Sequence, residues 1–508
     1  MLTGSIPRSL CNLGSLELMD LSNNRLEGFI PRCFGNIISL RSLDLNSNML
    51  KGSIPRSLCN LGSLENMDLS NNRLDGFIPW CFENRTSLRS LDLNSNMLKG
   101  SIPRSLCNLG SLENMDLSNN RLEGFIPWCF ENITSLRSLD LTSNILKGSI
   151  PRSLCNLGSL ENMDLSNNRL EGFIPWCYLS NNRLEGFIPW CFGNINRLEG
   201  FIPWCFGNIT SLRSLDLNSN MLKGSIPRSL CNLGSLENMD LSNNRLEGFI
   251  PWCFGNITSL RSLDLNSNML KGSIPRSLCN LGSLENMDLS NNRLEGFIPW
   301  CFGNITSLRS LDLNSNMLKG SIPRSLCNLC SLENMDLSNN RLEGFIPWCF
   351  GNITSLRSLD LNSNMLKGSI PRSLCNLGSL ENMDLSNNSN LGSLENMDLS
   401  NNRLEGSLEN MDLSNNRLEG VIPWCFRNIT SLRSLDLNSN MLKGSIPRLC
   451  NLGSLENMDL SNNRLEGFIP WCFGNITSLR YLDLNSNMLK ESIPRSLCNL
   501  GSLENMDL

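Results

Sequence analysis

Apolar positions recur along this chain at a fixed interval of 24 residues, in two alternating versions. Version A reads LDLNSNMLKGSIPRSLCNLGSLEN, as at residues 91–114, and version B reads MDLSNNRLEGFIPWCFENITSLRS, as at residues 115–138. In Leu91-Asp92-Leu93 and Met115-Asp116-Leu117 apolar and polar side chains alternate with period two, which predicts a short strand with one buried face. The Asn-Ser-Asn or Ser-Asn-Asn that follows is turn chemistry. Gly100 or Gly124 then permits a backbone conformation other residues avoid. Ile-Pro opens a second extended stretch, and SLCNLGSL or CFENITSL leads back to the next strand. No unit of this length buries its own leucines. Stacked units do, by forming a parallel sheet on one side and an apolar column inside.

Proline confirms the interval. All 21 prolines of the 508 residues follow isoleucine, and from Pro7 to Pro175 they fall every 24 residues. The chain lacks histidine, alanine and glutamine, and Val421 is its one valine. Without histidine there is no Ser-His-Asp or Cys-His catalysis and no histidine metal site. The chain has a single CxxC, Cys327-Asn328-Leu329-Cys330, with no second pair or histidine beside it, which argues against zinc. No phosphate-binding glycine motif or kinase signature is present, so neither a catalytic role nor a cofactor is expected. The net charge of −5 predicts solubility and no nucleic-acid footprint. No run reaches the length needed to span a bilayer. The N-terminus has no basic n-region or apolar h-region, so no signal peptide is expected, and the chain begins and ends inside a repeat.

The frame LxxLxLxxNxLxGxIPxxLxxL resembles the plant-specific leucine-rich repeats of receptor-like protein and receptor-like kinase ectodomains. The resemblance covers nearly the whole chain. It implies an α/β-type repeat solenoid, mostly β and irregular: a right-handed horseshoe or superhelix with a concave parallel β-sheet. It also implies an asparagine ladder at Asn48, Asn72, Asn96 and Asn120, where one side chain offers both donors and an acceptor to adjacent coils. The implied function is an extracellular module at the cell surface that binds a protein or peptide ligand, a polysaccharide-derived signal or a co-receptor, in signalling or defence perception. Alternatives are a soluble apoplastic protein of enzyme-inhibitor type, or a product of repeat expansion with no selected ligand.

The period breaks twice. RLEGFIP recurs at steps of 14 from Arg169 to Arg183 to Arg197, and ENMDL at steps of 14 from Glu381 to Glu395 to Glu409. The expected organisation is one continuous solenoid: regular arrays over 1–175, 201–385 and 413–508, with shortened repeats over 176–200 and 386–412. Two short steps should merge into one irregular 28-residue coil at each break. Smaller defects are a missing serine at Pro447-Arg448-Leu449 and Glu491 in place of glycine.

Four features are candidates for chemistry. Outward strand positions form the face that the resemblance implies is the ligand face: Asp92, Asn94, Asp116, Ser118, Asp264, Asp288, Asp312 and Asp336. The repeating pattern of that face contains no aromatic anchor. Charges alternate between coils in two columns, Lys51/Asp75, Lys99/Glu123 and Lys147/Glu171 in one, and Arg41, Glu65, Arg89, Glu113 and Arg137 in the other. The position after Ile-Pro alternates Arg56, Trp80, Arg104, Trp128, which reads as local stacking or as an association surface. Sequons begin at Asn84, Asn132, Asn208, Asn256, Asn304, Asn352, Asn387, Asn428 and Asn475 and are candidate glycosylation sites.

Of the 22 cysteines, all but Cys330, an extra that replaces a glycine, also fall in columns, Cys59 and Cys107 in A and Cys33, Cys81 and Cys129 in B. Cysteines of one column are two coils, about 10 Å, apart and beyond disulfide reach. Adjacent A and B cysteines are offset by two positions, so bridging is not expected and burial as small hydrophobes is.

Overall fold

A computed structural model describes residues 1–81, 87–171, 211–371, 373–374, 379–388, 390–393, 408–423, 426, 429–449, 451–490 and 492–508. The chain divides into two compact units, Met1–Leu260 and Arg261–Leu508. Each is a stack of coils. Among the described residues the first unit carries nine three-residue strands of the Asp-centred type and the second eleven. Within each unit the described pairings between these strands are parallel, as between Asn114–Asp116 and Ser138–Asp140 in the first and Asn286–Asp288 and Ser310–Asp312 in the second. No α-helix is found among the described residues; the return segments are short 3-10 helices such as Arg104–Asn108.

Local chemistry explains each piece of a coil. Leu91 and Leu93 are buried while Asp92 between them is half-buried on the outer face. The chain turns through a residue with positive φ, Ser95 (51°) in A and Asn119 (49°) in B. Pro103 caps the 3-10 helix, where a missing N–H costs nothing, and its carbonyl accepts from Leu106 N–H at 3.1 Å. Leu98, Ile102, Leu106, Leu109 and Leu112 complete the buried set of this coil. In B coils Phe130 takes the place of Leu106 and is fully buried. Each such side chain contributes about 1.5–3 kcal/mol on burial. The neighbouring coil provides much of the covering surface.

The asparagine ladder forms as expected. Asn96 Nδ2 donates to the carbonyls of Leu69 (3.0 Å), Leu93 (3.2 Å) and Asn94 (3.0 Å), and its Oδ1 accepts from Leu74 N–H (3.0 Å). One side chain thus satisfies three carbonyls and one amide that the turn would otherwise leave buried without partners.

The ladder also sits where the register changes. Asp-centred strands pair residues 24 apart, Met115 with Leu91. The second set of strands, such as Met97–Gly100 and Arg121–Gly124, pairs residues 22 apart: Lys99 with Arg121 and Gly100 with Leu122. Ser95 N–H still bonds Ser118 O, in the 24-residue register. The slip is therefore made across residues 96–98, where Asn120 Oδ1 accepts from Leu98 N–H at 2.9 Å. A side chain supplies the acceptor where the main-chain ladders fall out of step.

This slip overturns two expectations. Lys51 faces Arg73, not Asp75, and no ion pair of Lys51, Lys99 or Lys147 is found among the described residues. The cysteines do bridge: Cys11–Cys33, Cys59–Cys81, Cys107–Cys129, Cys231–Cys253, Cys279–Cys301 and Cys327–Cys349 are disulfides. All six span 22 residues, the same step as the slipped strands, and Cα pairs lie 5.5–5.8 Å apart. Cys472 is disulfide-bonded too, while Cys330 and Cys498 are free and exposed. Each bridge joins an A coil to the B coil after it.

The period defects resolve unequally. Asn382 pairs with Asn410, a single 28-residue step as expected, although residues 394–407 lie outside the described set. At the first break Asn162 pairs directly with Ser214, and the irregular coil expected within 176–200 lies outside the described residues. The missing serine is absorbed in a 23-residue step from Ser434 to Asn457. Glu491 lies outside the described residues.

Candidate functional site

The strand face brings the expected aspartates into register. Asp92 lies opposite Asp116 in the first unit, and Asp264, Asp288, Asp312 and Asp336 follow one another in the second. Each aspartate folds back on its own turn, Asp92 Oδ1 accepting from Asn94 N–H at 3.0 Å and Asp264 Oδ1 from Asn266 N–H at 2.9 Å. In A coils the asparagine bridges two coils: Asn94 Nδ2 donates to Asp92 Oδ1 (2.8 Å) and Asp116 Oδ2 (3.2 Å). Asn314 does the same between Asp312 (2.7 Å) and Asp336 (3.3 Å).

Ser118 differs from expectation. It is 4% exposed, its N–H donating to Asp116 Oδ1 and its hydroxyl accepting from Asn119 Nδ2 at 3.4 Å. It supports the turn instead of offering a group to a ligand. One aromatic residue was missed. Tyr481 replaces the serine at the first outward strand position, and its hydroxyl donates to Asp483 Oδ2 at 3.1 Å. Desolvation, reinforced by that bond and charge, pushes the phenol up to about 12. The sequence signal was a single departure from a uniform column.

Six A-coil carboxyls are pushed up, to about 6 at Asp92, Asp216, Asp312, Asp360 and Asp436 and about 7 at Asp140. Desolvation is the main cause, opposed by the turn amide and reinforced by the carboxylates on either side. Beside this row the second charge column forms as expected, with Arg41–Glu65 at 3.3 Å, Arg89–Glu113 at 3.1 Å and Arg137–Glu161 at 3.2 Å. Among the described residues no cluster of groups is arranged to hold a metal ion.

The opposite character appears on the flank that follows the second strands. Trp80, Trp128, Trp300 and Trp348 are 57–61% exposed. Arg56 lies over the Trp80 ring at 5.5 Å and Arg104 over Trp128 at 5.9 Å, the stacking expected from the alternation. A second aromatic column was missed: Phe77, Phe125, Phe297 and Phe345 are about two-thirds exposed. Its signal was phenylalanine at a position where A coils carry serine. Each ring covers a glycine of the next coil, Phe77 over Gly100 and Phe297 over Gly320, where a Cβ would enter the ring. Of the sequons, Asn132, Asn256, Asn304, Asn352, Asn387 and Asn475 are exposed, and Asn84, Asn208 and Asn428 lie outside the described residues.

Coils built on this frame define a protein class. The chain matches the leucine rich repeat family over residues 4–170, 236–389 and 453–508, with further repeats at 211–233, 407–429 and 431–452. It belongs to the leucine-rich repeat family, in the form found in plant receptor ectodomains. The plant peptide hormone receptor RGFR1, solved in complex with RGF2, is 30% identical over 99% of this chain and 87% of its own, with a TM-score of 0.79. The Arabidopsis receptor kinase HAESA, in complex with the peptide hormone IDA and the co-receptor SERK1, is 33% identical over 99% and 83%, at 0.80. The ectodomain of the membrane receptor kinase GASSHO1/SCHENGEN3 from Arabidopsis thaliana, in complex with CASPARIAN STRIP INTEGRITY FACTOR 2, is 37% identical, at 0.64; this chain is covered fully and spans 66% of that one. No curated protein matches the chain. No helix among the described residues is long and apolar enough to cross a membrane.

Proposed function

We propose that the chain is the extracellular recognition module of a receptor-like protein or kinase, without catalytic activity of its own, and that it takes a peptide or protein ligand on its strand face. The observation that carries this reading is the in-register row of outward side chains on a fold shared with ectodomains solved in complex with peptide hormones. The row of carboxylates favours a ligand with positive charge facing it. Two further observations support a secreted protein: disulfides repeat through both units, as in oxidising compartments, and the described sequons are exposed. The ligand-face residues proposed are Asp92, Asn94 and Asp116 in the first unit and Asp264, Asp288, Asp312 and Asp336 in the second.

The test is a binding screen of basic and acidic peptides against the secreted chain and its Asp312→Lys/Asp336→Lys variant. The expected result is selective capture of a basic peptide and at least a tenfold loss in the variant. Equal binding by both proteins would remove the strand face from the reading. Mass spectrometry of the protein from its native tissue checks glycan occupancy at Asn132, Asn256, Asn304, Asn352 and Asn475.

A further inference from the structure

The 48 residues from 311 to 358 carry four acidic and four basic side chains, and the fold sorts them. Asp312, Glu333, Asp336 and Arg357 lie in or beside the strand row, leaving it two negative charges in excess. Lys319, Arg324, Arg341 and Glu343 lie exposed on the flank, leaving it two positive charges in excess. A net charge near zero per repeat therefore conceals a basic flank. The exposed Phe345 and Trp348 rings stand in that flank, in an open groove with Ser321, Pro323, Arg324 and Ser369.

Exposed rings among cations call for a partner with two properties: negative charge, and flat apolar faces to lie on the rings. The partner is also linear and repetitive, because cation and ring alternate coil by coil, at about 4.8 Å per coil. One sugar ring of an extended chain advances by a comparable distance. The repeated disulfides fit an oxidising compartment, and on the extracellular reading proposed above the polyanion argued for is a uronic-acid polymer and not a nucleic acid. We propose that the aromatic flank is a docking surface for a linear acidic polysaccharide, whose carboxylates meet the arginines and lysines and whose ring faces stack on the tryptophans and phenylalanines. It is separate from the strand face and holds whether or not that face takes a peptide.

The test uses the full secreted chain with polygalacturonate, neutral dextran and a poly-dT oligonucleotide. Three variants accompany it: Trp300→Ser/Trp348→Ser; Arg276→Gln/Arg324→Gln, at the exposed arginines that follow Ile-Pro one coil before those tryptophans; and Asp312→Asn/Asp336→Asn. Circular dichroism and thiol titration confirm that each variant keeps its fold and disulfides. The expected result is binding of polygalacturonate but not dextran. It falls at least tenfold in both flank variants, weakens with added salt, and is unchanged in the strand-face variant. Equal binding of dextran would overturn the role of charge. Equal binding of poly-dT, or retention in the tryptophan variant, would reduce the flank to a general anion surface and overturn the proposal. So would loss of self-association in the tryptophan variant with no polygalacturonate bound by the parent, which would make a second copy of the chain the occupant.

Discussion

The strand side and the flank are built from the same 24-residue coil, yet they are held together by different means. On the strand side coils join through main-chain ladders in 24-residue register, buried asparagines and exposed Arg–Glu pairs. On the flank they join through a 22-residue register, aromatic rings seated on glycines, and disulfides. The main-chain and asparagine ladders of the first arrangement repeat at every coil, while its Asn–Asp bridges start from A coils. The second is also covalently paired, because each disulfide among the described residues links an A coil to the next B coil. The same two-fold alternation is thus written in polar side chains on one side and in covalent bonds on the other.

The largest expected effect comes from the flank. Closing a loop of this size contributes about 3 kcal/mol per disulfide. Reduction should therefore lower the melting temperature steeply in calorimetry with and without reductant. An unchanged melt, with thiols shown to be free, would erase the distinction between the two sides. Next is Asn316→Ala on the strand side. It strands the carbonyls of Leu289, Leu313 and Asn314 and the amide of Leu294, at a cost of about 3 kcal/mol. Hydrogen exchange should show the loosening confined to the neighbouring coils, as nearest-neighbour coupling requires. Gly320→Ala places a Cβ at φ +77° against the Phe297 ring and should cost about 2 kcal/mol. Quenching of tryptophan fluorescence would report whether the flank opens with it.

Two smaller effects belong to the strand row. Six of its A-coil carboxyls, at Asp92, Asp140, Asp216, Asp312, Asp360 and Asp436, have folded pKa values of about 6 to 7, above the unfolded value near 3.9, so the folded state binds more protons in between. The stabilisation is complete below about pH 4 for these groups and is lost as pH rises through 6 to 7. Melting should therefore occur at higher temperature at pH 5 than at pH 7.5, and Asp312→Asn/Asp360→Asn should flatten the difference. Smallest is Arg309→Ala. Its exposed 3.4 Å pair with Glu333 contributes at most about 0.5 kcal/mol, and urea unfolding should barely register the change.

The strand side was legible in the sequence because a strict period of 24 aligns residues that also pair at 24. The leucine frame, the asparagine ladder and the Arg41–Glu65 column all follow from it. The flank was not legible in the same way. There the coils slip by two residues, so aligning Lys51 with Asp75 put the wrong partners together. The cysteine offset of two positions, read as an obstacle to bridging, was the mark of that slip. The exposed phenylalanines were hidden for another reason. Hydrophobic pattern assigns such residues to a core, and only packing shows that the ring rests on a neighbour's glycine with its other face in water.

The pairing of coils by disulfides has a mechanical consequence. A chain of this kind pulled from its ends cannot peel one coil at a time on the flank. Each bridged A–B pair among the described residues keeps a closed loop whose ends are 22 residues apart, and that loop contributes nothing to the extension. The protein yields in double steps, each shorter than its residues would allow, until a reductant converts it to a spring of single turns.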